Sequence, residues 1–166
     1  MHRLFWAIFL IFCTFCITAC TADNMPSGPL KTGMPNPWIE CDKDIDCAKR
    51  AAGFDFKVKA QDIKIRAMKD MIEINYPLDE NRDVIIRKTT EELYNKTDIS
   101  GDYNKYPIMD KIILDNGVEF LTRRDENLIY VAYFGAEDGF YSINCAKGMT
   151  KKELEEIYKI IALGDF

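Results

Sequence analysis

The chain has 166 residues, with 22 Lys and Arg against 27 Asp and Glu, for a formal net charge of −5 at pH 7. This acidic balance shows no basic patch and argues against nucleic acid as a partner. The only histidine is His2, so a chain processed beyond it has no imidazole for a Ser-His-Asp or Cys-His device, or for a His-ligated zinc site.

The N-terminus opens with the short basic stretch Met1-His2-Arg3 and continues without charge from Leu4 to Ile17. An apolar run this short does not reach the roughly 20 residues that span a bilayer. A basic start, a short apolar run and small residues before a break are the pattern of a secretory signal. Ile17-Thr18-Ala19-Cys20 resembles a bacterial lipobox. The resemblance implies removal of residues 1–19 as a signal peptide. Cys20 would then be lipidated with a diacylglyceryl group bearing palmitate-like chains. Such chains hold a protein stably at a membrane, at about 0.8 kcal/mol per buried CH₂. Removing Arg3 with the signal leaves 21 basic against 27 acidic residues, a net charge of −6. Residues 20–37 carry Pro, Gly, Ser and Asn without apolar period and read as a flexible tether. Residues 38–166 suit a single domain with its own core.

Three cysteines fall in that domain, Cys41, Cys47 and Cys145. An odd number in an exported chain allows at most one internal bridge. Cys41 and Cys47 would point to different faces of one helix unless Cys41 lies before it. The sequence does not choose among the pairs, and buried free thiols are equally open. Asp42 or Asp44 can cap a short helix striped by Ile45, Ala48 and Ala52, with Lys49 and Arg50 near its end and Gly53 as the stop.

The period then changes to two. Phe54, Phe56 and Val58 alternate with polar residues, as do Ile63, Ile65 and Ala67, then Ile72, Ile74 and Tyr76, then Val84 and Ile86. Further strands are expected at 112–114, 118–123, 128–134 and 140–145, separated by "PLDENRD", "DNG", "RDEN" and "GAEDG". "DNG" between two apolar runs is a hairpin signal. One face of the resulting sheet should pack inward and the other carry charge. The run "LIYVAYF" is apolar on both faces, as in a central strand covered on both sides. At the C-terminus, Thr150 and Glu153 fit a capping box, with Met149 and Leu154 as its hydrophobic staple. Leu154, Ile157, Tyr158 and Ile161 then line one helix face, Glu155 and Lys159 stand four apart as a surface pair, and Gly164 ends the helix.

Residues 89–107 form the longest stretch without a clean period, and hold Tyr94, Tyr103 and Tyr106. A long loop with aromatics on a sheet is a common place for binding, although a crossover whose rings pack on the rim has the same composition. Tyr130, Tyr133 and Tyr141, with Phe134 and Phe140, can line a ligand groove or simply form core and rim. These six tyrosines are the candidate interaction residues. "DENRD" at 79–83 begins like a calcium loop but lacks the glycine and the closing glutamate such a loop needs. No metal ligands and no catalytic residues are expected. Nothing calls for a cofactor: there is no Gly-rich phosphate loop and no nucleophile elbow.

Taken in order, "MPNPWIECDKDIDCAKRAAGFDF", "DISGDYN", "YFGAEDGFYSINCAKG" and "MTKKELEEIYKII" make a combination that resembles a family of short lipoproteins of unknown function from Firmicutes-type bacteria. It is also similar to an extracytoplasmic domain of unknown function in some anti-sigma-like membrane proteins. The aromatic strand, small turn and capped helix at the end resemble the curved half-barrel of lipoprotein carriers and periplasmic stress sensors, which implies a concave apolar face.

The fold expected is α+β: a curved antiparallel meander of seven to eight strands, with a short N-terminal helix and a C-terminal helix packed on one face. The function expected is that of a lipoprotein anchored in the cell membrane through Cys20, on the extracytoplasmic side. Its domain would be a non-enzymatic module that binds an unknown protein, peptide or lipid. The alternatives are a carrier or sensor of an apolar lipid or peptide under the curved sheet, and a carboxylate-based hydrolase of the cell envelope.

Overall fold

The structure, a computed structural model, describes residues 36–58 and 62–162. The expected signal, Cys20 and most of the tether lie outside the described residues, as does Gly164. Pro37 onward forms one compact unit.

Eight strands make one sheet: β1 (Ile39–Asp42), β2 (Lys64–Met68), β3 (Met71–Asp79), β4 (Arg82–Thr89), β5 (Ile108–Ile113), β6 (Glu119–Arg124), β7 (Ile129–Ala136) and β8 (Gly139–Met149). Among the described residues three helices accompany them: α1 (Ile45–Ala52), the single turn α2 (Glu91–Tyr94) and α3 (Lys151–Ala162). Every pairing is antiparallel. The fold is thus mostly β with few helical residues. Its order, β1-β2-β3-β4-β8-β7-β6-β5, differs from a single meander. Two four-stranded meanders meet where β8 lies beside β4, and the segment between β4 and β5 must cross the sheet.

Alternation of side chains gives the sheet two faces. On the first, Ile65, Ile72, Ile74, Val84, Ile86, Phe120, Phe134 and Ile143 form the main core with α1 and α3. Asp44 caps α1 by accepting from Cys47 N at 2.9 Å, and Gly53 ends it at φ +82°. Ala48 and Ala52 face the sheet. The capping box of α3 is reciprocal: Glu153 N donates to Thr150 Oγ1 at 3.2 Å, and Thr150 N to Glu153 Oε2 at 2.7 Å. Leu154, Ile157 and Ile161 are buried in the core, each contributing about 1.5–3 kcal/mol. Tyr158 meets the rings of Phe120 and Phe134 edge-on. The surface pair on α3 is Lys159 with Glu156 at 3.2 Å, in place of the expected Glu155 with Lys159.

One further expectation is corrected. Residues 54–58 bury Phe56 and Val58 but form no ladder, because β1 occupies the place beside β2. The second face carries charge, as expected, and over β7 it is covered as well, as the doubly apolar run 128–134 implies. Residues 90–107 cross it as a strap, whose Ile99 is buried in a second cluster with Met71, Val131 and Tyr133 of the sheet.

Candidate functional site

Strand register builds the second face row by row. Arg66, Glu73, Arg87, Ser142, Tyr133, Leu121 and Lys111 stand directly opposite one another on β2, β3, β4, β8, β7, β6 and β5. In the next row are Asn75, Ile85, Asn144, Val131, Arg123 and Met109. Directly opposed residues share a face, so the rows are a surface of defined chemistry.

At one end of the first row Glu73, only 6% exposed in its side chain, accepts from Arg66 Nε at 2.6 Å and from Arg87 Nε at 2.8 Å. The Arg66 guanidinium lies over the Trp38 ring at 4.6 Å. One carboxylate between two guanidiniums satisfies charges that would otherwise be costly to cover.

The strap docks on this base through "DISGD", residues 98–102. Ile99 O accepts from Arg87 Nη1 at 2.9 Å and from Ser142 Oγ at 3.3 Å. Asp98 accepts from Ser100 N and Oγ and from the Tyr133 hydroxyl, and pairs with Arg123 at 2.9 Å. Burial alone would raise the Asp98 carboxyl, but these donors together hold it below its usual range. Asp102 accepts from Asn104 N at 2.8 Å and from the Tyr106 hydroxyl at 2.7 Å. Burial and then that bond push Tyr106 up to about 12.

Four candidate tyrosines therefore gather on this face. Tyr94 stacks on Phe140 at 4.4 Å and Tyr106 on Tyr130 at 4.7 Å. Tyr130 donates to Asp125 at 2.9 Å, which raises its hydroxyl, and Tyr133 donates to Asp98. Tyr103, in the strap, is 82% exposed. Tyr141 does not join them. It lies on the helix face, stacked on Phe134 at 4.8 Å and donating to Asp138, with burial the main cause of its raised hydroxyl. Neighbours in a strand alternate faces, so the aromatic run from Tyr130 to Tyr141 lines two surfaces rather than one groove.

The cysteines are now placed. Cys41 in β1 is bridged to Cys47 in α1 across a Cα–Cα distance of 5.6 Å. Cys41 precedes the helix, which is the geometry that permits the bridge. Cys145 is free and buried, and burial pushes its thiol up. In the "DENRD" turn Asp79 accepts from Asn81 N and Arg82 Nε, as a capped hairpin does.

Two clefts open on the strap face. One of about 290 Å³ is lined by Asn75, Ile85 and Asn144 together with Arg82 and Lys147. Both cations are committed: Arg82 to Asp79 and Glu153, Lys147 to Asn81 O. The other, about 460 Å³, lies where the strap descends to β5, among Asp98, Asp102, Tyr103, Lys105, Met109 and Arg123. Here the acids are the committed groups. Lys105 is exposed and belongs to no ion pair among the described residues. Arg123 directs Nη1 to Asp102 O at 3.0 Å, while its buried Nε has no hydrogen-bond partner. Arg123, Lys105 and Met109 belong to no motif in the sequence. The readable signal was the strand pairing that sets Met109 opposite Arg123.

Comparison with family models, with curated proteins and with solved structures found no match to this chain. Among the described residues no helix is long and apolar enough to cross a membrane, and no group of three or more His, Cys, Asp or Glu is arranged to hold a metal ion.

Proposed function

We infer that this is a membrane-anchored lipoprotein, acylated at Cys20, whose extracytoplasmic domain is a non-enzymatic binding module. This reading keeps it with the short lipoproteins its sequence resembles. The observation that carries the binding role is the larger cleft. Its carboxylates, Asp98 and Asp102, are consumed in holding the strap, so neither is left as a free acid or base for hydrolysis. What remains for a ligand is a cation, a phenol and apolar surface, which suit recognition rather than turnover. The Cys41–Cys47 bridge supports the compartment, because such bridges persist in oxidising surroundings.

Against the carrier alternative stands the packing under α3. Leu154, Ile157, Phe120 and Phe134 fill the space between helix and sheet where an acyl chain would lie, whatever the curvature of the sheet. Mass measurement of the chain extracted from its native membrane tests the proposal. The expected result is a mature chain that begins at acylated Cys20 and retains no stoichiometric apolar ligand in its domain. A bare thiol at Cys20 overturns the anchor, and a retained lipid under α3 restores the carrier.

A further inference from the structure

The two edges of the sheet are unlike. β1 is four residues long, loses register between Glu40 and Asp42, carries two acids and is tied to α1 by the Cys41–Cys47 bridge. Shortness, bulging and charge are how natural sheets protect an edge from further pairing. Of these protections β5 has only charge, in Asp110 and Lys111. It runs six residues in unbroken register with β6, contains no proline, and among the described residues pairs only with β6. Alternate residues of such a terminal strand turn backbone N–H and C=O outward.

The side chains beside this edge are also prepared. Met109 is 64% and Ile113 59% exposed, and with Leu121 they make an apolar patch on the strap face. Lys111 lies between Met109 and Ile113, and Lys105 and Tyr103 rise from the adjoining cleft. We propose that β5 is a strand-addition site for an extended peptide segment of a partner protein, bearing apolar, acidic and apolar side chains at alternate positions. This deepens the binding role proposed above and rests on it.

The chemistry follows from the rows. A strand laid antiparallel on β5 sets alternate side chains opposite Met109, Lys111 and Ile113, so two apolar contacts flank one charge. The cleft's own acids are engaged, which leaves Lys105 and Lys111 to select a carboxylate. Lys111 now pairs with exposed Glu119 at 2.6 Å, a contact that solvent keeps weak and exchangeable. A second copy of the chain is a poorer occupant. Pairing β5 with itself about a two-fold axis at Asp110 or Lys111 sets like charges directly opposite, which is destabilising.

The test uses the full-length chain in detergent micelles and an amidated, acetylated peptide built on Val-Thr-Glu-Thr-Val, with Val-Thr-Lys-Thr-Val as its counterpart. The glutamate peptide should bind several-fold more tightly and move the amide resonances of residues 108–113. The Lys105→Glu/Lys111→Glu variant, altered only at exposed positions, should reverse the preference by roughly fivefold to tenfold. N-methylation of one alternate set of peptide residues should abolish binding while the other set tolerates it, a pattern specific to strand pairing. Equal affinity for both peptides, resonance changes confined to the α1 and α3 face, or a peptide-free dimer with protected β5 amides would each overturn the site. Acylation of Cys20 is read separately by mass. An acylated chain that ignores the peptide overturns the edge site alone, and a peptide-binding chain with a bare Cys20 overturns the anchor alone.

Discussion

Tyr133 of β7 donates its hydroxyl to Asp98 of the strap across 2.9 Å, joining residues 35 apart in sequence. The same carboxylate takes two bonds from Ser100 and one ion pair from Arg123, so this contact helps lock the strap rather than merely touching it. Tyr133→Phe should lower stability by about 1 kcal/mol in urea unfolding. It should also speed amide exchange at residues 98–102. Tyr141→Phe, which loses its bond to Asp138 on the opposite face, should cost a similar amount and leave strap exchange unchanged. Faster strap exchange in both variants would refute the separation of the two faces.

Local devices were legible in the sequence because each is contained within a few residues. The Thr150–Glu153 box, Gly53 at the end of α1 and Gly117 in the "DNG" turn are all of this kind. The position of β8 was not legible, because the pairing of Arg87 with Ser142 joins distant segments through register that no local motif specifies. Alternation gave the face on which Arg66, Glu73 and Arg87 lie, but alternation carries no information about whether a face is covered. The strap has no period of its own. It is held by single side chains such as Asp98 and Asp102, whose composition matches that of any polar loop. The tyrosines were visible as residues, while their division between faces needed the strand register that sets Tyr141 opposite Lys88 and Phe134.

Glu73 lies between two guanidiniums, and its removal should expose how that charge is balanced. Glu73→Ala leaves Arg87, 15% exposed in its side chain, beside Arg66 without an anion. The expected loss is about 3 kcal/mol, at the low end for a broken buried pair because Arg66 still reaches solvent. Adding Arg87→Met should recover part of that loss, since it removes the uncompensated charge. Urea unfolding of the two variants checks this; a double variant less stable than Glu73→Ala alone would contradict it.

Gly101 and Gly117 both adopt positive φ, +66° and +84°, but their surroundings differ. A Cβ at Gly117 meets nothing nearby, whereas one at Gly101 collides with the Arg87 guanidinium. Gly117→Ala should cost the left-handed backbone penalty of roughly 1–2 kcal/mol. Gly101→Ala should cost about 1–2 kcal/mol more, because Arg87 must leave Ile99 O. Equal losses in thermal unfolding would mean that the strap does not bear on Arg87.

The Cys41–Cys47 bridge closes a short loop between β1 and α1. Its loss in a Cys41→Ala/Cys47→Ala variant should lower stability by about 2 kcal/mol on the chain-entropy view. Thiol titration gives an independent check. The native domain should react slowly at buried Cys145, and denaturation without reductant should free that thiol alone. Three reactive thiols between Cys41 and Cys145 before reduction would disprove the bridge.

The strap should loosen at both ends of the pH scale, for opposite reasons. Asp98 sits below its ordinary value when folded, so its contribution is complete above the unfolded carboxylate value of about 4. That contribution is lost as pH falls through the lower folded value. Tyr106 is pushed up to about 12, so its contribution is complete below the unfolded phenol value of about 10. It is lost as pH rises from there through the folded value. Amide protection at residues 98–106, taken relative to the intrinsic exchange rate at each pH, should therefore fall in acid and again in alkali, with tyrosinate absorbance rising across the alkaline change. In Tyr106→Phe the alkaline loss of protection should weaken while the acid limb stays in place. An unchanged alkaline limb in that variant would show that another phenol, and not the one bonded to Asp102, governs release of the strap.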